Sequence, residues 1–298
     1  MENSFILSCE STVDMPFSYV SGRGMPVLFY SYQVDGIEYD DDMQRDPQAM
    51  DRFYGFIDAG KLPSTSQINE YRYEEFFRDL ASKGDILHIN FGSGMTPSVR
   101  NARLAAQTVM EEFPGRTIKV IDSYCSSSGY GLLVDYAADM RDEGKSMDEI
   151  AEWVEANCMN VHHQFFTVDL KYFKRSGRMS GATAALATVL NICPIMRLDR
   201  TGHIKAYSKA RGKKLAIKET IKEMEKHAAG GRDYSGKCFI SHSNVYDDAV
   251  ALRNAVEEAF PNLSGKVRIF DIGTIIASHS GPGTVAVYFM GDERPEMD

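Results

Sequence analysis

The sequence predicts an α/β protein in two domains, the first built on a parallel sheet covered on both faces and the second on a mixed sheet. Three observations carry this. Short, near-continuous apolar runs alternate with helical patterns up to about residue 160, as expected for strands buried between two helical layers. Beyond Val161 the apolar runs crowd together, and Arg200-Thr201-Gly202 joins two of them as an antiparallel hairpin. A chain of 298 residues is long enough to bury a core in each of two domains. The expected division is 1–160 for a Rossmann-like α/β domain and 161–298 for the mixed-sheet α/β domain, with a ligand at their junction.

In chain order, Phe5-Ile6-Leu7 and Pro26-Val27-Leu28-Phe29-Tyr30 read as buried strands, and Asp35-Gly36 marks a hairpin after the second. Phe76, Phe77 and Leu80 give residues 71–82 helical spacing, and the strand Ile86-Leu87-His88-Ile89 follows. Residues 100–112, 129–142 and 147–158 read as helices, with the strand Ile118-Lys119-Val120-Ile121 between the first two. In the second half, strands are expected at 165–168, 194–198, 203–207, 238–240, 267–270 and 285–288, and helices at 182–190, 213–227 and 247–259. No internal repeat or low-complexity tract interrupts this order.

Composition narrows the function. A net charge of -9 argues against a nucleic-acid footprint, which needs clustered Lys and Arg to neutralise phosphates. Five cysteines, widely spaced and without a Cys-x-x-Cys, support neither a disulfide framework nor a zinc knuckle and fit a reducing cytoplasm. The start of the chain is too acidic and its apolar stretch too brief for a signal peptide, and no apolar run approaches membrane-spanning length. Transient membrane contact stays open.

The chemistry lies in hydroxyl-and-glycine clusters placed where strands give way to loops or helices. They are Ser11-Thr12-Val13-Asp14, Ser64-Thr65-Ser66-Gln67, Gly92-Ser93-Gly94-Met95-Thr96-Pro97-Ser98, Arg175-Ser176-Gly177-Arg178-Met179-Ser180-Gly181 and His279-Ser280-Gly281-Pro282-Gly283. If they converge, they form a pocket of neutral donors with one His and one or two Arg, suited to a carboxylate or phosphate head group. Thr65 and Ser66 either cap a helix starting near Asn69 or offer their hydroxyls to such a group. Ser93 and Thr96 follow a strand at the carboxyl edge of the predicted sheet, where open α/β folds bind ligands. His279 follows a β-rich stretch and precedes a tight backbone path. Arg178, flanked by Gly177 and Met179, is a surface charge unless the pocket claims it.

Other chemistries fail on spacing. Gly144-Lys145-Ser146 lacks the upstream glycine and feeding strand of a phosphate loop, His162-His163 lacks the His-Glu-x-x-His pattern, and no Gly-x-Ser-x-Gly occurs. Asp122-Ser123 reads as a brace at a strand end.

The clusters together resemble the DegV family, whose best understood members are similar to the fatty-acid-binding subunit of bacterial fatty acid kinase. The resemblance runs from Ser11-Thr12-Val13-Asp14 through Thr65-Ser66-Gln67, Ser93-Gly94-Met95-Thr96 and Val120-Ile121-Asp122-Ser123. It continues through Leu170 to Ser180, Leu190-Asn191-Ile192-Cys193-Pro194-Ile195 and His279 to Gly283. Glu10 stands where the family usually has Asp, and Thr96-Pro97-Ser98 where it usually has Ser-Gly-Thr. The resemblance implies a two-domain DegV-like fold and a long-chain fatty acid as ligand, with no other cofactor, metal or ATP site. It implies that Thr65, Thr96 and His279 hold the carboxylate, with Ser93 beside them and Ser66, Ser280 and Gly281 as secondary positions. Arg178 then serves the head group or docks a separate ATP-dependent fatty acid kinase subunit. Phe165, Phe166, Ile192, Met196, Ile275, Ile276 and the apolar residues of 184–190 supply candidate tunnel wall. The alternative is a hydrolase or acyltransferase using Ser93 or Thr96 with His279; the first reading makes the chain a substrate-presenting subunit and not an enzyme.

Overall fold

The structure is a computed structural model and describes residues 5–179 and 192–296. The expected helix at 182–190, the cluster residues Ser180 and Gly181, and the tunnel candidates at 184–190 lie outside the described residues.

The first sheet is parallel and four-stranded. Its central strands are β1 (Phe5–Glu10) and β6 (Asp85–Asn90), flanked by β2 (Val27–Leu28) and β7 (Ile118–Asp122), in the order β2-β1-β6-β7. Register sets Leu7 against Leu87 and Ile89 against Ile121, so apolar side chains stack from strand to strand in layers. Helices Glu70–Ala81 and Ser98–Glu112 pack against one another and against this sheet. Helix Ser127–Asp142 is buried on nearly all sides over its first half, which explains its weak amphipathicity: it packs on the second sheet while its Tyr130 hydroxyl bonds the Glu10 amide and the Ile89 carbonyl of the first. Asp135 on this helix meets Lys237 at 2.5 Å and Arg23 at 2.6 Å, joining segments distant in sequence.

The second sheet is six-stranded and mixed. It comprises β8 (Val161–Phe166), β9 (Ile192–Leu198), β10 (Ile204–Arg211), β11 (Cys238–His242), β12 (Arg268–Asp271) and β13 (Val285–Met290), in the order β10-β9-β8-β13-β11-β12. The 200–202 turn joins β9 to β10 as an antiparallel hairpin, with Ile204 opposite Leu198. Helices Lys213–His227 and Tyr246–Ala259 cover one face. A third, small sheet orders β4 (Ile37–Asp40), β3 (Ser31–Val34) and β5 (Ser64–Thr65). The Asp35-Gly36 turn links β3 to β4, and Thr65 pairs with Tyr32.

Three expectations change. The strand expected at 165–168 is β8, and it begins at Val161 and ends at Phe166, because buried His162, His163 and Gln164 pair with β13 despite their polarity. Helix Ala49–Asp58 and the short helices Phe17–Gly22 and Lys171–Ser176 were not anticipated. The β-rich stretch before His279 is β12, and His279 itself sits on an unanticipated helix, Thr274–Ser280. Its β-branched start is held by Thr274 Oγ1 donating to Asp41 at 2.8 Å, a tertiary contact that overrides local propensity.

Among the described residues no helix is long and apolar enough to cross a membrane. All five cysteines are buried and unpaired. Gly144-Lys145-Ser146 is a helix start: Ser146 caps helix Met147–Asn157 in a reciprocal capping box with Glu149.

Candidate functional site

Four of the five clusters meet. β5 carries Thr65, the loop after β6 carries Met95, Thr96 and Pro97, the short helix 171–176 leads to Arg178, and helix 274–280 presents His279 from its last turn. All of these residues line one cavity of about 210 Å³, with Ser66 and Ser280 at its wall. The fifth cluster lies beneath it. Ser11–Val13 form a buried 3-10 turn, and Asp14 accepts from Ser127 while sitting against Gly273 at the base of helix 274–280. Burial, then the charge of Asp41, pushes the Asp14 carboxyl well above its ordinary range, under the helix that carries His279.

The polar centre is a hydrogen bond of 2.7 Å between Thr65 Oγ1 and His279 Nε2, across 214 residues of sequence. Thr65 is therefore no helix cap, since Asn69 fills that role by accepting from the Arg72 amide. Burial, with the charges of Arg178 and Arg175 beside it, pushes the His279 imidazole down to about 4, so it is neutral near pH 7. A neutral imidazole and a hydroxyl carry two polar hydrogens, and their mutual bond uses one. Nδ1 of His279 is buried without a partner. With the ring proton on Nε2, the imidazole donates to Thr65 Oγ1 and the Thr65 hydroxyl is left as a donor for an incoming acceptor; with the proton on Nδ1, the spare donor is the buried Nδ1.

Helix 98–112 starts beside Thr96 and Pro97 with no side-chain cap and no acidic residue in its first turn; the Arg100 amide bonds the Pro97 carbonyl at 3.1 Å, and the positive end of the helix lies at the cavity. The helix terminus expected at the site was the one near Asn69; the one that stands beside the cavity is that of helix 98–112. Tyr30, donating its hydroxyl to Ser98 at 2.9 Å, closes that side.

Not every expected residue reaches the cavity. Ser93 faces a wider neighbouring cleft of about 620 Å³ between the 93–97 loop and the 199–205 hairpin, and its amide donates to Asp122 at 3.0 Å, which makes Asp122 the expected strand-end brace. Ser66 is exposed, whereas Ser280 is buried and donates to the Gly281 carbonyl. Gly281 contributes backbone geometry. Arg178 is exposed, donates to the Ser176 carbonyl at 3.0 Å, and lines both cavity and cleft.

Beyond the polar end the walls turn apolar. Phe91, Phe173, Ile204, Ile275 and Ile276 line the cavity, which adjoins a deeper one of about 50 Å³ edged by Phe165, Leu198, Ala286 and Tyr288. Of the expected wall residues, Phe165, Ile275 and Ile276 are there, while Phe166 and Met196 are buried in the cores and Ile192 lines neither cavity.

Sequence reasoning missed two contributors. Glu10 is buried and accepts from the Phe91 amide at 2.8 Å and from Asn90 at 3.1 Å, which fixes where the cavity-lining loop leaves β6. Arg175 donates one nitrogen to the carbonyls of Pro63 and Ser278, at 3.0 and 3.1 Å, and so ties the strand of Thr65 to the helix of His279. The only signal for Arg175 was its place in the same cluster as Arg178.

Comparisons with known proteins bear on the family and the fold. The profile of a family described as "Uncharacterised protein, DegV family" matches residues 6–292. A DegV domain-containing protein of Clostridium perfringens is 35% identical, over 97% of this chain and 98% of that one. Among solved structures, a DegV family protein from Thermus thermophilus described for fatty acid binding is similar with a TM-score of 0.83 and 27% identity, covering 97% and 99% of the two chains. A fatty acid binding DegV family protein from Streptococcus agalactiae is similar with a TM-score of 0.80 and 25% identity, over 97% and 99%.

Proposed function

Because the chain belongs to the DegV family, we propose that it binds a long-chain fatty acid, tail buried, and presents the carboxylate to a separate ATP-dependent kinase that forms the acyl phosphate. The observation that carries the binding step is the Thr65–His279 pair, with its one spare donor, set at the polar end of an otherwise apolar cavity. Burying roughly 15 methylenes at ~0.8 kcal/mol each supplies on the order of 12 kcal/mol before association costs, so the tail dominates affinity and the polar end orients the carboxylate. In this division of labour the chain positions and shields the acyl group, while nucleotide and metal belong to the partner. The unpaired cysteines favour a cytosolic setting.

The hydrolase or acyltransferase reading is the weaker one. In the Ser-His-Asp arrangement a carboxylate orients the histidine and stabilises its positive charge, and His279 has arginine charges beside it instead. Ser93, one of the two proposed nucleophiles, does not line the cavity that holds His279.

Native mass spectrometry of the purified protein, followed by lipid extraction, tests the proposal. One non-covalently bound fatty acid per chain is expected; a consistently empty protein or a tightly bound nucleotide overturns it. Arg178→Ala separates binding from presentation. Its exposed guanidinium at the cavity mouth fits a rim contact with an acidic partner surface. Bound lipid is expected to stay constant while kinase-dependent acyl phosphate formation falls and loses salt sensitivity. A parallel drop in lipid content assigns Arg178 to the carboxylate, and no change in either measurement leaves it a surface charge.

A further inference from the structure

On the opposite face of β8 from the cavity lies a second polar cluster that the fatty-acid reading does not use. Side chains alternate along a strand; His163 lines the deeper cavity, and its neighbour His162 points away from it toward the end of helix 213–227 and the chain after β13. There His162 Nε2 lies 3.1 Å from Asp292 Oδ1, and His227 Nδ1 lies 2.9 Å from the same oxygen. The three side chains offer one ligand atom each, all within 4.8 Å of one another. The two imidazoles stack at 5.0 Å with 22° between their planes, and Phe289 covers His162 from the other side. Both histidines are buried and Asp292 is open to solvent, which leaves an entry path.

We propose that His162, His227 and Asp292 form a binding site for a divalent transition-metal ion of the zinc type. Tetrahedral zinc with bonds of about 2.0–2.1 Å to nitrogen and oxygen sets its ligand atoms roughly 3.3 Å apart, and the two N···O separations fall within a few tenths of an ångström of that edge. The Asp292 carbonyl oxygen, 2.9 Å from His162 Nε2, or a water completes four ligands. Imidazole and carboxylate are the ligand types that zinc shares with its first-row neighbours.

The second shell supports the assignment. Nε2 of His227 is buried without a hydrogen-bond partner and faces Glu223 Oε2 at 3.5 Å. If His227 is neutral and donates from Nδ1 to Asp292, Nε2 presents a lone pair to a carboxylate, an arrangement in which two acceptors oppose each other. A metal on Nδ1 places the ring proton on Nε2, directed at Glu223. This is the carboxylate–histidine–metal relay that orients ligating histidines. The competing arrangement is a protonated His227 bridging Asp292 and Glu223, with no metal at all. An ion here would pin the chain following β13 to helix 213–227, where Asp292 N already donates to the His227 carbonyl at 3.0 Å.

The test uses full-length protein without a histidine tag, stripped with chelator and titrated with Co²⁺ and Zn²⁺. One ion per chain is expected, with the intense visible spectrum of tetrahedral cobalt and a rise in melting temperature on adding zinc. His227→Gln and Asp292→Asn should each weaken binding about a hundredfold or more, and Glu223→Gln about ten- to a hundredfold. Circular dichroism and retained fatty acid show that the variants are folded; should His227→Gln fail to fold, Glu223→Gln carries the test. The absence of saturable one-to-one binding, a weak octahedral cobalt spectrum, or binding undiminished in these variants overturns the site in favour of the protonated bridge.

Discussion

Gly281→Ala is expected to lower stability by about 2–5 kcal/mol and to reduce fatty-acid occupancy with it. Gly281 ends helix 274–280 with φ 68° and ψ -178°, a backbone region open essentially to glycine alone. A Cβ there would stand 2.1 Å from Cδ2 of Tyr172, a buried ring. Two costs therefore add: the strained backbone and the displaced ring. Tyr172 belongs to the short helix that also carries Phe173 at the cavity wall and Arg175, so the displacement propagates to the Thr65–His279 alignment. Gly177→Ala is the control. Gly177 also has positive φ, 66°, but nothing lies within 4 Å of its added Cβ, so only the backbone term of about 1–2 kcal/mol applies. Denaturant titration of both variants, with extraction of bound lipid, checks the contrast; equal effects at the two positions would falsify the role assigned to the Tyr172 contact.

The second large effect is on pH dependence and passes through His279. The imidazole titrates near 6.5 in the unfolded chain and is pushed down to about 4 in the folded one. Between those values the unfolded chain binds a proton that the folded chain refuses, so stability falls as pH falls through this window and levels off below it. From pH 7 to 4.5 the loss from this one group amounts to about 2–3 kcal/mol. His279→Gln, which keeps a side-chain donor and does not titrate, should remove that share of the acid sensitivity in lipid-free protein. A bound carboxylate opposes the depression of the imidazole, so lipid-loaded wild type should lose less on acidification than lipid-free wild type. If the proposed head-group role holds, the same variant weakens fatty-acid binding by about tenfold to a hundredfold, the range for a charge-assisted hydrogen bond of ~1.5–3 kcal/mol. Chemical denaturation at pH 7 and 4.5, with and without fatty acid, measures each arm. Identical pH profiles for variant and parent would show that His279 is protonated freely in the fold and is not held neutral.

The architecture was legible because periodicity survives folding. Continuous apolar runs at 5–7 and 86–89 became the two central strands of the parallel sheet, the run at 118–121 became an edge strand, and helix 213–227 has the bounds its pattern predicts. What misled was a conflict between local and distant contacts. Thr274, Ile275 and Ile276 are β-branched and gave no helical signal, yet Asp41, far away in sequence, accepts from Thr274 at a helix start. His162 and His163 look too polar for an inner strand, yet pairing with β13 and ring stacking satisfy them in the core.

The sequence by itself determined the family, the two-sheet α/β class and the set of hydroxyl, glycine and histidine positions available for chemistry, since these depend on residue order over short spans. Only the tertiary structure decided which of them meet. It brought Thr65 to His279, sent Ser93 to a neighbouring cleft, put the Ser11–Asp14 cluster under the site and supplied the uncapped terminus of helix 98–112. The reason is that hydrogen-bond partnership and desolvation are pairwise properties of the packed chain. Whether a hydroxyl caps a helix, braces a strand or faces a cavity is set by what lies within about 3 Å of it, and residues hundreds of positions away supply that neighbour.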